Sequence, residues 1–172
     1  MPSAVSGPSF QTRIDLAPEV RQHVITVLNQ QLAQTLDLYT QAKQAHWNVK
    51  GTDFFQLHEL FDTVAEDVFG FVDTIAERVT ALGGYAFGTA RMAAANSSLP
   101  EYPKEAIDGR QHLEALIDRF ARYVASNRKA LDEAQNEGDA ATADVYTEVA
   151  RAADKALWFL EAHLQAAAQR AS

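Results

Sequence analysis

The sequence predicts an all-α protein: an antiparallel four-helix bundle with a long crossover, able to hold a short helix, between its second and third helices. Three observations carry this prediction. Four long segments repeat their apolar residues at a period near 3.6. Nothing alternates at a period of two, as a half-buried strand would. Apart from Gly70 and Gly109, every glycine and proline falls where a tail, a helix end or a loop can take it.

The first helix starts at Pro18, whose missing N–H costs nothing in a first turn, with Glu19 beside it at the positive end of the helix dipole. Its apolar stripe reads Val24, Leu28, Leu32, Leu36, Tyr39, Ala42 and His46, and it runs to about Val49 before Gly51. The second helix begins after Asp53, an N-cap residue type with Gln56 three positions on, and ends at Gly83-Gly84. From Gly83 to Pro103 the chain is too polar and interrupted for a core helix, although RMAAAN can form one or two turns; a connection this long can cross the length of a bundle. The third helix is expected from near Pro103 to before Gly138, with a stripe of Leu113, Leu116, Phe120, Val124 and Leu131. The fourth is capped by Asp139 and reads Tyr146, Val149, Ala153, Leu157, Leu160 and Leu164. The expected organisation is one domain over residues 16–168, a flexible tail at 1–15 and a short tail at 169–172, with no internal repeat or low-complexity segment.

Composition narrows the function classes. At 172 residues and 47% hydrophobic the chain can fill a real core. A formal net charge of −8 disfavours nucleic acid as the main partner of the folded body and suits something that attracts cations. Cysteine is absent, so any metal must be held by carboxylates and imidazoles. The N-terminus has no basic start followed by an apolar run, and no apolar stretch approaches the roughly 18 residues of a membrane span, so a soluble cytoplasmic protein is expected.

Five residues stand out: His46, His58, Asp62, Asp73 and Glu77. The last four form two i, i+4 pairs on one face of the second helix. Any single pair is ordinary, since 23 acids and 5 histidines in a chain of this length give about four such pairs by chance, most of them solvated helix decoration. Two pairs in register, with Ala65 and Phe69 between them and His46 ending the preceding stripe, are less ordinary. Yet Asp62 and Asp73 are eleven residues, roughly 16 Å, apart along the axis, and no first-row metal reaches ligands beyond about 2.3 Å. One copy cannot close a site from both pairs. A second copy running antiparallel across a two-fold axis near Asp67 and Val68 brings the His58/Asp62 end of one helix to the Asp73/Glu77 end of the other, with two equivalent sites per dimer. Two imidazoles with carboxylates and no thiolate fit iron, manganese or zinc, and iron with an oxidant is the natural candidate.

The stretches KQAHWNVKG (Lys43 to Gly51), HELFD (His58 to Asp62), DTIAERVTALGG (Asp73 to Gly84) and LWFLEAHL (Leu157 to Leu164) together resemble the Dps family of mini-ferritins, the DNA-binding proteins from starved cells, over about Arg13 to Gln165. The resemblance implies a ferritin-like bundle assembled into a hollow dodecamer from two-fold dimers. It implies a ferroxidase that oxidises Fe2+, usually with hydrogen peroxide, and stores the ferric mineral inside. His46, His58 and Asp62 would come from one subunit and Asp73 and Glu77 from its partner. Zinc or manganese could substitute for iron. The chain contains no Glu-x-x-His, the motif of ordinary di-iron bundles, so a site inside one subunit is disfavoured.

The remaining candidates have competing readings. By resemblance Trp47 lies beside the metals and takes up an oxidising equivalent; otherwise it fills the dimer contact. Asp139, Asp144 and Glu148 match acids that line a three-fold iron-entry pore in the family, although an acid in a first helical turn, such as Asp139, is also a plain cap. His23, His112 and His163 read as surface or satisfied histidines, Trp158-Phe159 as packing, and Arg78 as the partner of a nearby acid. The best-known Dps proteins hold DNA through a lysine-rich tail. Residues 1–17 contain only Arg13, opposed by Asp15, and only Arg170 follows Leu164, so weak or absent DNA binding is expected. The alternative is an architectural nucleoid protein in which iron oxidation is secondary.

Overall fold

The computed structural model describes residues 7–169, which form α1 (Pro18–Asn48), α2 (Phe54–Ala81), the short α3 (Ala90–Asn96), α4 (Gly109–Asn136) and α5 (Ala140–Gln169). Among the described residues there is no strand; one isolated bridge joins Lys50 to Asp108. No helix among them is long and apolar enough to cross a membrane.

Two helical hairpins, α1–α2 and α4–α5, pack side by side, α1 on α4 and α2 on α5. The Lys50 N–H bonds the Ile107 carbonyl 2.9 Å away, so α4 begins where α1 ends. Arg78 of α2 reaches Asp139 at the start of α5. The bundle therefore runs up, down, down, up, and the crossover from Leu82 to Asp108 spans its length. Inside it, α3 packs against α1, burying Ala93, with Thr89 as its N-cap.

The core is built from Leu28, Leu32, Leu38, Phe61, Ile75, Leu116, Phe120, Tyr123, Tyr146 and Leu160, all fully buried. The stripe expected on α1 is displaced in its middle. Leu36 and Tyr39 lie at its edge, Tyr39 against Phe69 with ring centres 4.8 Å apart, while Thr35 and Leu38 are buried in their place. α1 is covered by α2, α4 and α3 together, so its buried face is wider than one stripe. The extra width is polar. Gln31, Gln34, Thr35 and Gln41 are buried along α1, and a seam of hydrogen bonds links them to α4: the Thr35 and Tyr123 hydroxyls are 2.8 Å apart, Gln34 Nε2 donates to Ser126 Oγ at 3.0 Å, and Arg119 Nε donates to Gln41 Oε1 at 3.1 Å.

One boundary, the start of α4, differs from the sequence expectation, and one expected cap is not made. Asp53 occupies the N-cap position of α2, but its side chain makes no capping bond. α4 starts at Gly109 rather than near Pro103: Asp108 accepts from the Gln111 N–H at 2.9 Å while the Gln111 side chain accepts from the Asp108 N–H, a complete capping box. Gly109 lets α4 start close against α2: a Cβ there would sit 2.3 Å from Leu57 Cδ1, so that side chain would have to shift to admit another residue. Of the segment expected as a flexible N-terminal tail, residues 1–6 lie outside the described residues. Residues 7–15 carry no regular secondary structure but touch the bundle: the Phe10 N–H bonds the Gly83 carbonyl at 2.8 Å and Ile14 packs on the core. Gly83 closes α2 at a φ of 86°, where the Gly84 N–H returns to the Val79 carbonyl and a Cβ would strike the Phe10 carbonyl. The expected tail at 169–172 lies outside the described residues beyond Gln169.

Candidate metal centre

His46, at the last turn of α1, and His58, on the second turn of α2, face each other across the five-residue α1–α2 turn. Their rings stack at 3.7 Å between centres. Each Nδ1 meets the other residue's backbone carbonyl, at 2.8 Å from His46 and 2.9 Å from His58. A carbonyl can only accept, so each Nδ1 carries the proton, and in the neutral ring the lone pair belongs to Nε2. This reciprocal clamp fixes both tautomers and both ring orientations, as second-shell bonds do for metal-binding histidines.

Asp62, one turn beyond His58, lies 4.0 Å from His46 Nδ1 and forms a close ion pair with Lys43 of α1. The hydrogen bond from Lys43, helped by His46 and His58 and opposed by desolvation, holds the Asp62 carboxyl below the usual carboxylate range. The ammonium thus sits on the oxygen a cation would use. Trp47 is 62% exposed, with Lys43 Nζ 6.0 Å from its ring centre, and Phe54 packs on His58 at 5.1 Å. Trp47, Phe54, Phe55 and Phe69 give the α1–α2 hairpin an exposed aromatic apron.

Asp73 and Glu77 stand exposed at the far end of α2. The fold therefore brings His46, His58 and Asp62 together and leaves the second pair apart, as the eleven-residue separation requires. Among the described residues, no three His, Asp or Glu side chains of one chain gather as a cage for a metal ion. The donors at the first end suit a borderline cation: two imidazole nitrogens, the Nε2 atoms left by the clamp, and one carboxylate whose charge is retained.

The other candidates divide. Asp139 is 3% exposed, and its oxygens accept from Arg78 Nη2 at 2.8 and 3.0 Å, from the Thr142 N–H at 3.0 Å and from the Thr142 hydroxyl at 2.5 Å. It is a cap and the partner of Arg78 within one chain, with no oxygen left to line a pore. Burial pushes its carboxyl up, but the Thr142 and Arg78 bonds outweigh that and hold it below the ordinary value. Asp144 and Glu148 are exposed, Asp144 in a shallow depression with Gln135, Gly138 and Thr147. His23 meets Glu133 at 3.4 Å, and His163 turns its Nδ1 to the Phe159 carbonyl at 2.7 Å. Trp158 is exposed and packs on Phe159 at 4.9 Å. His112 is buried, with Nδ1 2.6 Å from the Tyr102 hydroxyl.

Sequence reasoning missed the Lys43–Asp62 pair and the Tyr102–His112 pair. The first has only a weak signal, a lysine one turn before His46 on the same helix. The second has none, because Tyr102 lies in the crossover.

Comparison with known proteins places these features in a group. Residues 25–169 match the ferritin-like domain model. The chain is 43% identical over 157 residues, 91% of its length and 97% of the relative's, to a DNA protection during starvation protein of Agrobacterium fabrum. Among solved structures it is similar to DpsC from Streptomyces coelicolor, with a TM-score of 0.87, 32% identity and coverage of 92% and 93% of the two chains. It is also similar to the Dps protein of Vibrio cholerae, described as a member of a broad superfamily of ferritin-like diiron-carboxylate proteins, with a TM-score of 0.84, 28% identity and coverage of 92% and 99%.

Proposed function

Because the chain belongs to the Dps proteins of the ferritin-like domain family, we propose that it is an iron-binding mini-ferritin whose ferroxidase centres are completed between two copies of the chain. The observation that carries this is the His46–His58 clamp with Asp62 at one end of α2, while the exposed pair Asp73 and Glu77 is too far along the helix to join it. The aromatic apron supports pairing through the α1–α2 hairpin, since exposed apolar surface of this kind marks an interaction site. A partner running antiparallel supplies Asp73 and Glu77, and the closed assembly is a dodecameric cage built of such dimers.

Fe2+ is the substrate and hydrogen peroxide the oxidant. Two Fe2+ give one electron each to one peroxide, which takes two protons and leaves as two waters. The Nε2 atoms of His46 and His58 would each offer one coordination position, and Asp62 and the partner's carboxylates would neutralise the growing positive charge. Lys43 holds Asp62 in place until a cation displaces its ammonium. Trp47, half-open beside the site, covers it or accepts an oxidising equivalent. Asp144 and Glu148 attract Fe2+ to the entry route, and the ferric product is stored in the cavity. Zinc or manganese occupies the same donors without the peroxide chemistry.

Second-shell partners alone change metal affinity or activity by about 10–100-fold, so removing two direct ligands costs more. A His58→Ala, Asp62→Ala variant that still assembles is expected to lose at least roughly a hundredfold in stopped-flow, peroxide-dependent Fe2+ oxidation. Oxidation at the parent rate would end the proposal. Plain duplex DNA should not shift with the assembled protein in gels at physiological salt, because a −8 chain whose residues 1–17 carry only Arg13 as a base offers phosphates little to neutralise them.

A further inference from the structure

Behind the His58/Asp62 end lies a phenol–imidazole pair that the iron chemistry above leaves unused. Tyr102, in the crossover, donates its hydroxyl to His112 Nδ1 at 2.6 Å, and the rings stack at 19° with centres 5.9 Å apart. His112 is 1% exposed in the first turns of α4, and its Nε2 is buried without a hydrogen-bond partner. The ring centre lies 6.3 Å from that of Phe61, the residue preceding Asp62. The carbonyl of Asn48, two residues after His46, lies near the imidazole and favours its charged form. The pair therefore touches both segments that carry the clamp, from the side away from solvent.

A phenol gives up an electron far more readily when its proton leaves at the same time, and a base within hydrogen-bond reach takes that proton. Here both partners are in the required state. Burial pushes the Tyr102 hydroxyl well above its ordinary pKa, against the pull of Arg119, whose guanidinium lies 5.8 Å from the ring centre. Burial also lowers the His112 imidazole, so the ring is neutral and free to accept; Asp108 and the Asn48 carbonyl then support the positive charge, while Lys50 opposes it.

We propose that Tyr102 is an internal electron donor, with His112 as its proton acceptor, for a peroxide that meets a centre holding a single Fe2+. This rests on the ferroxidase reading. One electron comes from Fe2+, which becomes Fe3+, and one from Tyr102, which becomes a neutral tyrosyl radical as its phenolic proton moves to His112 Nδ1. Peroxide takes both electrons and two solvent protons and leaves as two waters, so no hydroxyl radical is released. A later Fe2+ reduces the radical, and the proton returns from His112 to the phenolate oxygen. The pair extends two-electron chemistry to a half-filled centre.

The test is freeze-quench electron paramagnetic resonance on the assembled full-length protein, given less than one Fe2+ per centre and then peroxide, with iron oxidation followed in the same mixture. The expected signal is a tyrosyl radical that narrows with ring-deuterated tyrosine, is lost in Tyr102→Phe, changes its g-values in His112→Gln, and persists in Tyr39→Phe. An iron-free arm uses flash photo-oxidation by a ruthenium tris-bipyridine: the parent should form the same radical with a solvent deuterium isotope effect, and Tyr102→Phe should not. Iron oxidised with an unchanged radical in Tyr102→Phe, or with a radical on Trp47 alone, overturns the inference and leaves the ferroxidase reading standing. A parent that oxidises no iron overturns the ferroxidase reading itself and the iron-driven step with it, whatever the flash arm shows.

Discussion

The two ends of α2 carry similar residues in very different states. At the His58/Asp62 end every side chain is already held: the imidazoles by each other's carbonyls, Asp62 by Lys43. At the other end Asp73 and Glu77 project into solvent, although their neighbour Arg78 is locked onto Asp139 and Thr142. One end is organised by its own chain and the other has a firm backbone but open carboxylates. The contrast teaches that one helix can hold similar side chains in a fixed arrangement at one tip and leave them open at the other, which in the proposed pairing gives a rigid half and an adaptable half.

The sharpest way to break this picture is to mix two crippled chains. Each of His58→Ala, Asp62→Ala and Asp73→Ala, Glu77→Ala should be inactive alone by at least roughly a hundredfold. Co-assembled at equal amounts, half of the random dimers are mixed, and each mixed dimer has one intact centre out of two, so Fe2+ oxidation should return to about a quarter of the parent rate. No recovery would mean that the two ends never meet.

A smaller effect probes the held end. Replacing Lys43 by Met removes a partly exposed ion pair worth up to about 1 kcal/mol, so titration with Co2+ or Zn2+ should show affinity rising about fivefold. Weaker binding would mean that Lys43 supports the cation site rather than competing for it.

At the open end the anchor can be titrated. Asp139 has a folded-state pKa below the ordinary 3.8, so its contribution is fully present above about pH 4 and is lost as pH falls through the folded value. Chemical denaturation between pH 3 and 7 should show Asp139→Asn less stable by about 1–3 kcal/mol at neutral pH, with the difference closing on acidification. A constant gap across that range would show that the carboxylate charge is not what anchors Arg78.

Much of the bundle was legible in the sequence. Pro18 and Gly83 mark helix ends for reasons any chain would share, and the two i, i+4 pairs declare their own separation. What failed did so for identifiable causes. Pro103 puts the expected start of α4 too early, while the decisive signal, Asp108 with Gln111, sits around a glycine that looks like a helix breaker. Leu36 and Tyr39 fit the stripe by period, yet three neighbours around α1 shifted its buried face toward Thr35 and Leu38. Asp139 carries two readings, cap or pore acid; its bonds from the Thr142 N–H and hydroxyl make it a cap, and Arg78, 61 positions earlier, binds it as well. Polar residues in the interior, Gln31 and Thr35 among them, have no sequence mark at all.

Those interior polar groups have a mechanical consequence. Sliding α1 by a single turn, about 5.4 Å, along α4 would part the Thr35 and Tyr123 hydroxyls and strand Gln34 from Ser126 in a dry environment. An all-hydrocarbon contact would tolerate several such positions; this one behaves as a detent with a single stop. Since α1 is a stiff rod, that stop also sets the height of His46, roughly 16 Å further along, and with it, in the proposed pairing, the level at which two copies would meet.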